Sequence, residues 1–151
     1  MDAITSLFES FDLNKIIPKT DTLLENLEKF TKFAILAGPV LLLLLGLVYL
    51  FLSPREANHR FGFRTWFGMG SVAAWRFTQR LAGIVFSAAG LVLTIIMAIL
   101  SASYVKLEPL DMLSAVFNCL VWQAGIALFC YIVICVIVAI AFDSKGNLRR
   151  K

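Results

Sequence analysis

Charge is scarce in this chain. Only 16% of its 151 residues are Asp, Glu, Lys or Arg, against roughly 25% in an ordinary soluble domain. None of that charge falls in the middle of a long apolar run. Proton relays, ion sites and intramembrane proteases need ionisable groups at that depth, so all are disfavoured. Histidine occurs once, as His59. No Ser/His or Cys/His arrangement can be assembled without that single loop residue, and no pair of carboxylates stands close enough for acid–base work. The three cysteines, Cys119, Cys130 and Cys135, all lie in the last apolar block. An odd count there makes no disulfide framework, and they read as small apolar packing residues. The expectation is a protein that is not an enzyme and has no catalytic residues, metal site or cofactor.

Apolar residues are what the chain has in abundance: 60% hydrophobic and a mean hydropathy of +0.83. They are arranged in blocks. Residues 33–52 and 81–104 carry no charge, nor do residues 112–142. Each block is long enough, at about 1.5 Å per residue, to cross a hydrocarbon core of roughly 30 Å. The fold class is therefore an all-α integral membrane protein. Its three transmembrane helices are placed at about 33–52, 81–104 and 115–142. Pro39, after Gly38, is expected to kink the first, and Ser53-Pro54 ends it. Ser71 is a plausible N-cap for the second. The opening turns of the third are expected in the interface, keeping Asn118 and Gln123 wet.

Ahead of the first span, Ile4, Leu7, Phe8 and Phe11 follow the spacing of a one-sided helix. Residues 1–31 are thus read as an amphipathic, net acidic segment outside the membrane domain of 32–142. Thr22 with Glu25 fits a capping box that opens a second helix. Three crossings put the stretch 54–80 and the tail 143–151 on one side. Both are rich in Arg and Lys, and the positive-inside rule assigns them to the cytoplasm. The acidic N-terminal segment and the short acidic link 105–111 then lie outside, giving an N-out, C-in topology.

Between the first two spans lies the stretch with most chemistry, NHRFGFRTWFGMGSVAAWRFTQR at 58–80. It combines arginines with aromatic rings and glycines. As an interfacial loop it would set rings at headgroup depth and arginines against anionic lipid headgroups. The RFGF at 60–63 echoes an RNA-binding strand only superficially, because the chain has no room for the soluble sheet such a strand needs. No nucleic-acid partner is expected. Gly62 permits a tight turn or close backbone approach, and Asn58 and Thr65 can bond backbone in that turn. Arg64 offers a planar donor fork, suited equally to a ligand or partner and to the carbonyl end of a helix. In the second span, Gly83, Ser87, Gly90 and Thr94 fall on one face. Small residues at such spacing let helices pack closely in lipid, either within the bundle or in a homo-oligomer.

The order of the loop residues resembles the SdpI-like family, small bacterial membrane proteins related to the immunity protein against the SDP killing peptide. The resemblance rests on Asn58, Gly62, Arg64, Thr65, Met69, Trp75, Gln79 and Arg80 and covers about 54–100. Trp66 stands where that family usually has proline, and Ala73 and Ala74 where it has an acidic residue. The resemblance implies a bacterial cell-membrane protein acting by binding, in resistance to a membrane-active peptide or in associated signalling through a regulatory protein. The ligand- or partner-binding residues it implies are Asn58, Gly62, Arg64, Thr65, Trp75 and Arg80. An accessory subunit of a larger membrane complex, packing through Gly83, Ser87 and Gly90, is the alternative. A small transporter or lipid-handling protein is a third reading.

Overall fold

The apolar runs form three helices, each longer than one membrane crossing requires. In the computed structural model, which describes residues 20–57, 61–104 and 108–149, α1 spans Thr20–Phe51, α2 Val72–Tyr104 and α3 Pro109–Ala141. The lengths of 32, 33 and 33 residues correspond to about 50 Å each, so every helix projects beyond a roughly 30 Å hydrocarbon core. All three are long and apolar enough to span a membrane. Their outward faces carry exposed Leu, Ile and Phe, among them Leu44, Ile99, Phe117 and Leu128, as expected of helices solvated by lipid.

The helices start earlier than the charge-free runs suggest, while their ends, at 51, 104 and 141, fall within one residue of those expected. α1 starts well before residue 32, so the border between an N-terminal segment and a membrane domain falls inside a continuous helix. Thr22 lies within that helix and does not cap it. Its early turns are instead laced by Lys29–Glu25 and Lys32–Glu28 ion pairs at 2.7 and 2.6 Å. α2 begins at Val72, and Ser71 does cap it, its Oγ accepting from Ala74 N–H at 3.1 Å. α3 begins at Pro109, where proline's missing N–H costs nothing. Asp111 therefore lies in its first turn, where a negative charge suits the helix dipole, and outside the preceding link. The amphipathic helix expected in residues 2–18 lies outside the described residues.

α1 and α2 run side by side with their backbones in close contact. A methyl group added to Gly83 would sit 2.5 Å from Leu50 Cγ, and one added to Gly90 2.7 Å from Leu43 Cα. Gly46 of α1 faces Ser87 in the same way. The small-residue face is thus covered by the chain's own first helix. The accessory-subunit reading loses its docking surface, since no room remains there for another protein.

Pro39 creates a defect in α1, and α3 mends it. Having no N–H, Pro39 cannot bond the carbonyl of Ile35 one turn earlier. Gln123 of α3 donates its Nε2 to that same Ile35 oxygen at 3.0 Å. Gln123 is only 7% exposed, so it sits between helices and not in the wet interface expected from sequence. Gly38 leaves the space its side-chain carbonyl occupies.

Candidate functional site

The loop between α1 and α2 folds into a cap over one end of the bundle, organised by two side chains from the start of α2. Trp75 is fully buried and donates Nε1–H to the Pro54 carbonyl at 2.9 Å, pinning the segment that leaves α1. Its ring lies directly under Gly62, where a Cβ would meet the ring carbons at 2.5 Å. Gly62 also has φ +123°, a conformation that side-chain-bearing residues rarely adopt. One turn further along α2, Gln79 clamps the next loop residue from both sides. Its Oε1 accepts from Phe63 N–H at 2.8 Å and its Nε2 donates to Phe63 O at 2.7 Å.

Phe63 is the plug this clamp holds in place. Its ring sits 5.9 Å from Tyr49 of α1, 5.7 Å from Phe86 of α2 and 5.3 Å from Tyr131 of α3. One loop residue therefore touches all three helices, with separations suited to edge-on and tilted ring packing. The chain then turns at Thr65, whose Oγ1 accepts from Gly68 N–H at 3.0 Å and whose carbonyl accepts from Met69 N–H at 3.2 Å. Thr65 is an N-cap for a single helical turn, and Trp66 occupies the first position after it, 82% exposed. Proline suits that position, which gives a physical reason for the residue expected there.

The C-terminal segment completes the cap. After α3, Phe142 and Leu148 form an antiparallel bridge around a turn closed by Gly146 N–H to Asp143 O at 3.0 Å. Gly146, at φ +75°, lies against Gly70, and its carbonyl accepts from Ser71 Oγ at 2.7 Å. Phe142 stacks near Phe77 at 5.4 Å. The residues after α3, expected as a basic tail, thus include a docked turn through Arg149. The Asp143 carboxylate is held below its ordinary range, chiefly by the Asn147 backbone N–H.

Of the residues singled out in the sequence, Gly62, Thr65 and Trp75 build the cap, and Arg64 and Arg80 decorate it. Trp75, expected at headgroup depth, is a fully buried core residue of the cap. Arg64 is exposed and has no hydrogen-bond or ion-pair partner among the described residues; it caps neither helix end. Asn58 lies outside the described residues. Sequence reasoning passed over Phe63 and gave Gln79 no role in the site. Phe63 sits in an RFGFR run whose rings all look alike, while Gln79 was visible as a motif position without a stated task.

Arg55, Arg76 and Arg80 line a cleft of about 410 Å³ with Tyr49, Ser53 and Gln79, where α1 ends and α2 begins. Arg76 also donates Nε–H to the Arg55 carbonyl at 3.3 Å.

Three apolar helices closed at one end by an arginine-bearing loop define a small helical membrane protein with an interfacial cap. The chain belongs to the SdpI/YfhL protein family, whose sequence model matches residues 55–142, from the cap to the end of α3. Comparison with curated proteins and with solved structures gave no match.

Proposed function

We propose that this protein acts by binding, without catalysis, in the bacterial cell membrane, in resistance to a membrane-active peptide or in the signalling coupled to it. The observation that carries the reading is the presentation of Arg64. Phe63 before it is immobilised by the Gln79 clamp and by rings from three helices. Thr65 after it is fixed as a cap. An exposed arginine whose backbone is fixed between two locked neighbours offers its guanidinium to a carboxylate, a phosphate or a row of carbonyls on a partner. Packing alone gives no reason to place an arginine there. The arginine-rich cap and the C-terminal turn lie together at one end of the bundle, and the positive-inside rule assigns that end to the cytoplasm. A regulatory protein would meet the cap, and a peptide arriving from outside would meet the bundle and its far end.

The test is survival of a sensitive bacterial host expressing the protein and challenged with membrane-active peptides, an SDP-type toxin among them. Wild type is expected to protect. Arg64→Ala, verified as inserted and folded, is expected to lose the protection or its coupled signal. Unchanged protection and signalling by Arg64→Ala would refute the role given to the loop. Failure of well-expressed wild type to protect against any peptide would refute the resistance reading.

A further inference from the structure

The cleft lined by Arg55, Arg76 and Arg80 shares Tyr49 and Gln79 with the packing around Phe63, but its arginines take no part in presenting Arg64. Three arginines line one space of about 410 Å³, within the roughly 300–1,000 Å³ of small-molecule sites. Among the described residues, the ion pairs are Lys29–Glu25 and Lys32–Glu28, both on the early turns of α1. No carboxylate among them pairs with any of these arginines. Like charges gathered at close range repel one another, and an anion between them relieves that repulsion while accepting several charge-assisted hydrogen bonds. Ser53, whose buried hydroxyl has no partner among the described residues, lines the same cleft.

A second surface fixes what kind of anion fits. Arg76 and Arg80 are shared with an apolar furrow that continues along α2 past Phe77, Leu81 and Ile84. Ile84 is 59% exposed, and these residues lead from the cap into the charge-free part of the span. A ligand seated on the two arginines therefore has a polar cleft on one side and a lipid-facing apolar path on the other. A free inorganic anion would use only the first. We propose that this is a specific site for one anionic phospholipid. Its phosphodiester sits among Arg55, Arg76 and Arg80, and an acyl chain follows the Phe77–Leu81–Ile84 furrow.

The site is distinct from a general attraction of basic loops to acidic membranes, which depends on total charge and not on which arginines supply it. That difference is the test. The full-length protein, in neutral detergent micelles with an equimolar mixture of phosphatidylglycerol and phosphatidylcholine, is examined by native mass spectrometry. Wild type is expected to retain one phosphatidylglycerol in preference to phosphatidylcholine. Arg76→Gln/Arg80→Gln is expected to lose at least about tenfold in affinity, the amount that removal of even one charge-assisted bond would give. Arg64→Gln/Arg149→Gln removes the same charge away from the cleft and should retain the lipid.

Because Arg76 also bonds the Arg55 carbonyl, Arg80→Gln alone serves as a second variant that disturbs no hydrogen bond among the described residues. It is expected to weaken retention with an unchanged unfolding midpoint. Equal losses in the two double variants, full retention by Arg80→Gln, or no preference for phosphatidylglycerol would each overturn the proposal. Retention of inorganic phosphate without lipid, with the same dependence on Arg80, would overturn it in favour of a free-anion site. Only the Arg64→Gln/Arg149→Gln control touches the loop, and it is read by lipid retention alone; the Arg76 and Arg80 variants leave Arg64 in place, so this site and the binding role of the loop are tested separately.

Discussion

Where α1 meets α2, glycine lets one backbone lie against the other; where α1 meets α3, a polar side chain spans the gap. Lipid offers no hydrophobic reward for bringing helices together, so association must come from close packing or from hydrogen bonds. The first seam uses Gly46, Gly83 and Gly90, each positioned where even a Cβ would collide with the facing helix. The second uses Gln123, which satisfies the Ile35 carbonyl that Pro39 leaves without its helical donor. Gly125 of α3 belongs to neither seam and has nothing within 4 Å of where its Cβ would be. The close-packed seam is intolerant of volume, and the bonded seam is intolerant of lost polarity.

The sharpest way to break this contrast is to add volume once inside the close-packed seam and once outside both seams. Gly90→Leu should destabilise the bundle by at least about 3 kcal/mol, the upper part of the range for overpacking, because backbone atoms of Leu43 have nowhere to go. Gly125→Leu should stay within about 0.5 kcal/mol, as for substitutions away from any packed feature. Unfolding in mixed micelles with increasing denaturing detergent measures both. Similar costs at the two positions would refute the assignment of the seams.

The cap behaves like the first seam, being closed by a glycine against a ring. Gly62→Ala combines a strained φ with a collision at Trp75 and should cost about 2 kcal/mol. Its effect should appear as accelerated proteolysis between residues 54 and 71, with the helices still assembled. Cleavage at the wild-type rate would mean that the loop does not depend on this turn.

The bonded seam is tested by a cycle of substitutions. Gln123→Leu leaves the Ile35 carbonyl buried without a donor and should cost about 1 kcal/mol, near the usual value for a hydrogen bond between membrane helices. Pro39→Ala restores a backbone N–H one turn after Ile35, which can take over that carbonyl. In the Pro39→Ala background, Gln123→Leu should therefore cost clearly less, a coupling that additive effects would rule out. A stability cycle in the same mixed micelles reads it directly.

Much of this architecture was legible in the residues alone. Charge-free runs marked all three helices, Ser71 marked the start of α2, and the loop motif marked the family. The spacing of Gly83, Ser87 and Gly90 marked a packing face, but not which helix would occupy it. What could not be read were pairings between distant segments. The Ser71–Gly146 bond closes across 75 positions and the Gln123–Ile35 bond across 88; neither leaves a periodic trace. The helix starts were also set too late, because a charge-free run reports the membrane's thickness and not the helix's length. α1 carries its ion pairs, and α2 its arginines, in turns that precede the charge-free runs.

The smallest effect expected is also the most local, and it separates the C-terminal turn from both seams. The Asp143 carboxylate accepts the backbone N–H groups of Lys145 and Asn147 at 2.9 and 2.8 Å and the Asn147 side-chain amide at 3.3 Å. These bonds, led by the Asn147 backbone N–H, hold it below its ordinary range. A depressed carboxylate stabilises the folded turn fully above the ordinary range and loses that contribution as pH falls through the lowered value. As pH falls into and below the ordinary Asp range, the Asn147 and Gly146 amides should lose protection, measured against the intrinsic exchange rate at each pH, as the turn lifts from Gly70 and Ser71. The middles of the helices carry no ionisable Asp, Glu, Lys, Arg or His to respond. Asp143→Asn should show the reduced protection already at neutral pH and flatten its pH dependence. Helix-wide protection falling in step with the turn would mean that the C-terminal segment is part of the bundle's stability and not a separable clasp on the cap.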